Sequence, residues 1–265
     1  MKRNKPYYFK IKDPKEFLKH YLSIYGRDYH KERSQAVISL FPELKDKRVL
    51  DIGCGGGFYS LAACRKGARD VTFLDASPVC VKAAKINLGR ENINSNGAIA
   101  DATALPFRNG TFDFVICVDV IEHIPEDRKL LQEIQRILKS NGSLVLSTQN
   151  QNSLNYILEA PLQRYVLKNR KWMGWDPTHV RFYNPRVLFQ LLKNFDFSIV
   201  KVSGTYFIPY MIALYLGRIN MKFSQLFYLI SYYLNQKLER RRLSSALLNL
   251  FGWGIICLCL KRRTC

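Results

Sequence analysis

The sequence predicts an α/β chain wound on both faces of a mostly parallel sheet, and three observations carry that prediction. Short apolar runs alternate with helical stretches through residues 48–148, the pattern of repeated βαβ units. A glycine turn, Gly53-Cys54-Gly55-Gly56-Gly57, joins the first apolar run to the first helix behind it. Phe112 to Val118 is almost continuously apolar, as a strand covered on both faces must be.

Residues 1–46 read as a basic lead-in with amphipathic helical patches at Phe17–Tyr25 and Ser34–Phe41, ended by Pro42. Arg48–Ile52 is the first strand, and a helix runs from Phe58 to Lys66. Val71–Asp75 is the second strand. Ser77-Pro78 then supplies an N-cap and a proline at the first helical position, opening a helix to Asn92. Ala98–Asp101 is a brief third strand and Phe112–Val118 the fourth. A charged helix spans Glu126 to Lys139, with Asn141-Gly142 as its stop, and Ser143–Thr148 is the fifth strand. Beyond residue 150, segments 153–170 and 184–194 read as helices, Phe197–Val202 as a sixth strand and Gly254–Leu260 as a last one. The expected divisions are a lead-in (1–46), a core (47–204), a hydrophobic and basic helical insertion (205–250), and a final strand with a basic tail (251–265).

At 265 residues, 48% hydrophobic and 23% charged, the chain can bury a sizeable core, which excludes wholesale disorder. Lys+Arg 41 against Asp+Glu 21 leaves +20, which calls for an anionic partner. The charge is uneven: +7 over residues 1–48, zero over 49–150, +4 over 151–200 and +9 over 201–265. The flanks, not the centre, are therefore expected to meet that partner. Seven cysteines, an odd number without a CxxC pair, fit free thiols in a reducing cytoplasm. The basic N-terminus lacks the apolar stretch of a signal peptide, so a cytoplasmic protein is expected.

The glycine turn has context. Asp51-x-Gly53-x-Gly55-x-Gly57 leaves a strand and enters a helix, where backbone N–H groups can approach a ligand closely. Asp75 ends the next strand about 20 residues on, where an acidic side chain can hold a ribose hydroxyl pair. The GK[ST] of a phosphate-gripping loop is missing, which disfavours nucleoside-triphosphate hydrolysis. A merely structural tight turn would not explain the Asp75 spacing.

The series VLDIGCGGGFYS (49–60), VTFLDAS (71–77), IADATALPF (99–107), FDFVICVDVIEHI (112–124) and GSLVLSTQN (142–150) resembles the class I S-adenosylmethionine-dependent methyltransferases. The resemblance implies a seven-stranded sheet of order 3-2-1-4-5-7-6 with the last strand antiparallel. It places Asp51, Gly53, Cys54, Gly55 and Gly57 at the methionine end of S-adenosylmethionine, Asp75 and Ala76 at the ribose, and Asp101 and Ala102 at the adenine. Cys117 to Asp119 would floor the sulfonium, and Arg33 of the lead-in is a candidate for the cofactor carboxylate. The Asp101-Ala102 pair suits an adenine amine and not a second nucleotide, which separates this reading from a dinucleotide enzyme.

Methyl transfer from a sulfonium is an in-line displacement, so the protein must align the nucleophile and, for a hydroxyl, remove its proton. Asp119-Val120-Ile121-Glu122-His123 lies just past the fourth strand, at the end where such sheets bind ligands. Asp119, Glu122 and His123 are candidates for base work, and Asp119 with Glu122 for a divalent ion, Mg or Zn; the alternative is that they only shape the turn. STQNQNSLNYI (147–157) and Pro177-Thr178-His179-Val180-Arg181-Phe182-Tyr183-Asn184-Pro185 resemble the ubiquinone-biosynthesis O-methyltransferase subset. That subset carries paired carboxylates in the slot of Asp119 and Glu122, and some members bind a metal there; Asp119 stands where many have Glu. His179 is expected to be the base or an acceptor contact, against a structural role.

The apolar run from Ala246 to Leu260 falls short of the roughly 20 residues that a spanning helix needs. Within 205–250, the runs Phe207–Leu216 and Phe223–Ile230 beside Arg240-Arg241-Arg242 suit either an interfacial helix on anionic lipid or a lid packed on the core. The expected activity is O-methylation of a hydrophobic or membrane-associated acceptor, such as a quinone precursor, a lipid or a lipid-linked glycan. The competing readings are a tRNA or other nucleic-acid methyltransferase, allowed by the charge, and a non-catalytic binding scaffold, opposed by the intact cofactor motifs.

Overall fold

The computed structural model describes residues 10–26, 28–170, 172, 174, 176–207, 220–239 and 249–262. Seven strands form one sheet: β1 (Arg48–Ile52), β2 (Asp70–Asp75), β3 (Asn96–Ile99), β4 (Phe112–Val118), β5 (Leu138–Gln149), β6 (Phe197–Thr205) and β7 (Gly254–Lys261). Their order is β3-β2-β1-β4-β5-β7-β6, as the resemblance implied. β7 pairs antiparallel with both β5 and β6, while the other pairs are parallel.

Alternation along the strands splits the core into two layers. Leu50, Ile52, Val115, Cys117, Leu144, Leu146, Ile255 and Cys257 point to one face, under Leu130, Leu131 and Ile134 of α5 (Asp127–Ile137) and Leu188 and Leu192 of α7 (Pro185–Asn194). Val49, Phe114, Ile116, Val118, Val145 and Ile256 point to the other, against Val37 of α2 (Asp28–Ser39) and Tyr59 and Ala63 of α3 (Phe58–Arg65). Both faces are therefore apolar, which is why β4 reads as an unbroken run. α1 (Pro14–Tyr25) is started by Asp13, whose carboxylate accepts from the Glu16 amide at 2.7 Å. It buries Phe17 and Leu18 beside Ala83 of α4 (Pro78–Gly89).

Several boundaries differ from the sequence reading, each for a physical reason. β3 ends at Ile99 because it pairs Asn96 with Thr72 through Ile99 with Asp75, which leaves Asp101 in the loop beyond. α5 stops at Ile137 because the fully buried Leu138 turns extended and pairs with Phe112. Asn141 and Gly142 thus lie inside β5 and do not cap a helix. The helix expected over 153–170 is α6 (Leu154–Pro161), followed by a widened π-turn at Leu162–Val166. Pro161 has no N–H to give the ladder, so the coil loosens there. β6 runs on to Thr205 because its ladder with β7 continues to the Thr205–Gly254 pair.

In the 205–250 segment the described residues form α8 (Met221–Glu239). The expected run from Ile208 to Leu216 and the Arg240-Arg241-Arg242 cluster lie outside the described residues. Among the described residues no helix is long and apolar enough to cross a membrane.

Candidate active site

The glycine turn lies at the carboxyl edge of β1. Gly53 has φ +69°, a left-handed conformation, and a Cβ there would stand 2.4 Å from Val120 Cγ2. Gly55 has φ +52°, and a Cβ there would meet the Tyr21 ring at 2.8 Å. Side chains are thus excluded from a cradle of backbone amides at the start of α3. Asp75 is tied to this cradle: its two oxygens accept from the amides of Gly55 (3.1 Å) and Ser77 (2.9 Å). Burial raises the Asp75 carboxyl above its ordinary value, and those amides oppose the rise. Asp51, behind the turn, accepts from the Ser60 hydroxyl at 2.5 Å, and burial pushes it up to about 7.

Beside the cradle a cleft of about 560 Å³ is lined by Ala76, Ile99, Asp101, Thr103, Ile124 and Pro125. Asp101 stays ionised at its rim because the Thr103 amide and hydroxyl hold its carboxyl below the ordinary range. Ala102, expected next to it on the ligand, is buried in the core. Cys54 and Cys117 are buried too, with thiols pushed up by desolvation, so they contribute shape and not reactivity. Tyr21, stacked over the glycines, was missed as a site residue; the Phe17-Tyr21-Tyr25 stripe at i, i+4 was its sequence signal.

The second half of the site follows β4. Asp119 has φ +55° and is gripped by both terminal nitrogens of Arg33, while Ser147 donates to it at 3.1 Å. Arg33, the candidate for the cofactor carboxylate, and Asp119, the candidate metal ligand, therefore meet each other. The short 3-10 turn Ile121–His123 then buries Glu122 completely. Among the described residues neither Glu122 oxygen has a partner of full hydrogen-bond geometry; burial, with Asp119 next, raises its carboxyl to about 8, and the nearby Thr148 hydroxyl opposes part of that rise.

His179 arrives from the loop before α7. That loop is pinned by the Val180 amide on the Glu122 carbonyl (2.9 Å), by Arg181 on Asp127, and by the Tyr183 hydroxyl on Asp127 (2.7 Å). Ligand-type atoms of Glu122, His123 and His179 all lie within 4.8 Å of one another. The cluster thus keeps the expected Glu122 and His123 but takes His179 in the place foreseen for Asp119. Burial, then His123, lowers His179 to about 4, so its ring is neutral near pH 7. Thr178 donates its only hydroxyl proton to Asp176 at 2.5 Å, so at 2.9 Å it accepts from His123 Nδ1. Phe182 stands against His179 and Tyr156, and Trp172 against Tyr156, making an aromatic wall.

A family profile described as "Methyltransferase domain" matches residues 25–202, which hold all of these side chains except Tyr21. The chain belongs to the methyltransferase-domain family. It is an S-adenosylmethionine-dependent methyltransferase. A ubiquinone biosynthesis O-methyltransferase of Xanthomonas oryzae pv. oryzae (strain PXO99A) is 30% identical over 170 residues, covering 63% of this methyltransferase and 70% of the relative. Among solved structures, the [4+2]-cyclase SpnF matches with a TM-score of 0.61 at 17% identity, over 89% of this chain and 82% of that one. A methyltransferase structure from Bacillus halodurans C-125 matches with a TM-score of 0.58 at 19% identity, over 86% and 98%. At such identities these two likenesses speak for the fold alone.

Proposed function

We propose that this methyltransferase transfers its methyl group to a hydroxyl on an apolar molecule, and that Glu122, His123 and His179 receive that hydroxyl. The observation that carries this reading is a fully buried carboxyl whose oxygens lack a partner of full hydrogen-bond geometry among the described residues, set against two imidazoles beside an aromatic wall. A buried carboxyl that lacks hydrogen-bond partners is costly even when protonated, so the cluster favours a ligand that supplies the missing partner. The likeness to a ubiquinone biosynthesis O-methyltransferase supports an oxygen acceptor.

S-adenosylmethionine, when bound, supplies a sulfonium methyl. On this reading the amides of the glycine turn, braced from behind by Asp51, would hold its methionine end, Asp75 and Ala76 its ribose, and Asp101 with the 560 Å³ cleft its adenine. The cluster orients the acceptor hydroxyl toward the methyl group that the cofactor would supply, and takes up the hydroxyl's proton. The same three side chains suit a divalent ion, because one carboxylate and two imidazoles form a ligand set of the kind zinc takes. Glu122, His123 and His179 would hold it, and it would act as a Lewis acid that acidifies the hydroxyl.

The test is direct. The enzyme is incubated with methyl-labelled S-adenosylmethionine and a cell extract, and the label is followed into lipid-soluble, RNA and water-soluble fractions. Label in an alkali-stable ether of the lipid-soluble fraction is expected. Label confined to RNA would replace this reading with nucleic-acid methylation.

A further inference from the structure

α8, the helix between β6 and β7, lies outside the residues matched by the family profile. Its outward side is inverted relative to an ordinary surface helix. Phe223 (63% exposed), Leu226, Leu229 (62%), Ile230, Tyr233 and Leu234 face out, while Ser231 is buried. At 100° per residue these six fall within one half of the helix circumference, with Ser231 on the opposite side. Lys222 and Lys237 are exposed on that same half, one near each end, and Lys237 lies over the Tyr233 ring at 4.7 Å. Glu239 is the only acidic residue from 201 to 265, against ten basic ones.

We propose that this face of α8 lies on an anionic lipid surface, with its apolar side chains in the acyl boundary and its lysines at the headgroups. Exposed leucines and phenylalanines favour any apolar cover, so charge decides among the occupants. A second copy would bring the same +9 segment to the contact, like charge against like. An anionic bilayer offers the opposite sign and lets Lys222 and Lys237 reach headgroups while their stems stay in apolar surroundings. The helix lies on such a surface and does not cross it, since its residues are not apolar enough over its length for a span.

The position of α8 in the chain gives the contact a use. Its segment leaves the sheet after Thr205 and returns at Gly254, residues paired in the ladder, and Gly254 also pairs with Gln149 at the carboxyl end of β5. Asn150 fastens the return by donating to the carbonyls of Leu250 (2.9 Å) and Gly252 (2.8 Å). A Cβ on Gly254 would stand 3.5 Å from Arg33 Nε, the residue that grips Asp119. The lipid-facing segment is thus rooted at the edge of the sheet that carries the site. This goes beyond the acceptor reading, and vesicle binding is measured with no acceptor present.

The full chain is sedimented with vesicles of phosphatidylglycerol in phosphatidylcholine and with phosphatidylcholine alone. Binding is expected to the first and roughly tenfold or more weaker to the second. Leu226→Gln with Ile230→Gln, and separately Lys222→Glu with Lys237→Glu, should each weaken it by a similar factor while S-adenosylmethionine affinity stays unchanged. Independently of any variant, hydrogen exchange of the native protein should slow across 221–239 when phosphatidylglycerol vesicles are added. No sedimentation, sedimentation unchanged in both double variants, or exchange in α8 unaffected by lipid would overturn the proposal. A dimer in solution that Leu226→Gln with Ile230→Gln dissociates, without vesicle binding, would overturn it in favour of a second copy.

Discussion

The imidazole of His179 stands edge-on to that of His123, ring centroids 4.7 Å apart, although the two belong to separate sequence motifs. The contact closes a cluster around the buried Glu122 that neither motif contains alone. It also makes the chemistry separable by experiment.

If a divalent ion works in the cluster, activity falls in excess chelator and returns with Mg²⁺ or Zn²⁺. His179→Ala should then lower turnover by roughly a hundredfold or more with cofactor affinity preserved. Steady-state rates with and without chelator, together with calorimetric titration of S-adenosylmethionine, check both statements. Full activity in chelator with the His179→Ala loss intact would leave the cluster as a proton acceptor alone. An active His179→Ala enzyme would remove His179 from the reaction.

Asp75→Ala should weaken S-adenosylmethionine binding by about 1–3 kcal/mol, since a charged acceptor for hydroxyls is lost. The same change frees the amides of Gly55 and Ser77, so part of the loss comes from a looser turn. Asp75→Asn keeps acceptor oxygen for an amide and should fall in between. Unchanged affinity in Asp75→Ala would exclude the residue from the cofactor site.

Arg33 is buried and Asp119 is partly open, at 9% and 32% side-chain exposure, so their pair is only partly screened by water. Arg33→Met leaves Asp119 with Ser147 as its side-chain donor among the described residues and should destabilise the fold by roughly 1–3 kcal/mol. Asp119→Asn should cost less, because Asn tolerates the left-handed backbone at φ +55° and still accepts a hydrogen bond. Urea unfolding of the two single variants and the double variant gives the coupling. Additive losses would show that the pair contributes nothing as a pair.

Burial raises Asp51 from an ordinary 3.8 to about 7. The folded protein therefore binds a proton there that the unfolded chain has already released between those values. The associated stability is present below pH about 4 and is lost as pH rises through about 7. Asp51→Asn removes this dependence. The stability of the native protein relative to the variant should thus decline over that window, as urea unfolding at several pH values would show. Parallel profiles would place the Asp51 carboxyl back in its ordinary range.

What the sequence determined by itself lies chiefly between residues 48 and 150. Strand and helix periods, the glycine turn and the N-cap at Ser77 are local, so neighbouring residues suffice to specify them. That is why β4, α3 and the Gly53–Gly57 turn were legible, along with Asp75 at the end of β2. Strand lengths were less so, since β3 and β5 take their ends from the register of their partners. The tertiary structure alone decided the pairing of Arg33 with Asp119, the arrival of His179 beside Glu122, and the turning of Ala102 into the core. It also decided which half of α8 faces outward, since that helix is apolar around most of its circumference. Each of these depends on which distant segment crosses the carboxyl edge of the sheet. No residue's own period or propensity encodes that choice, because it is made by packing over the whole core.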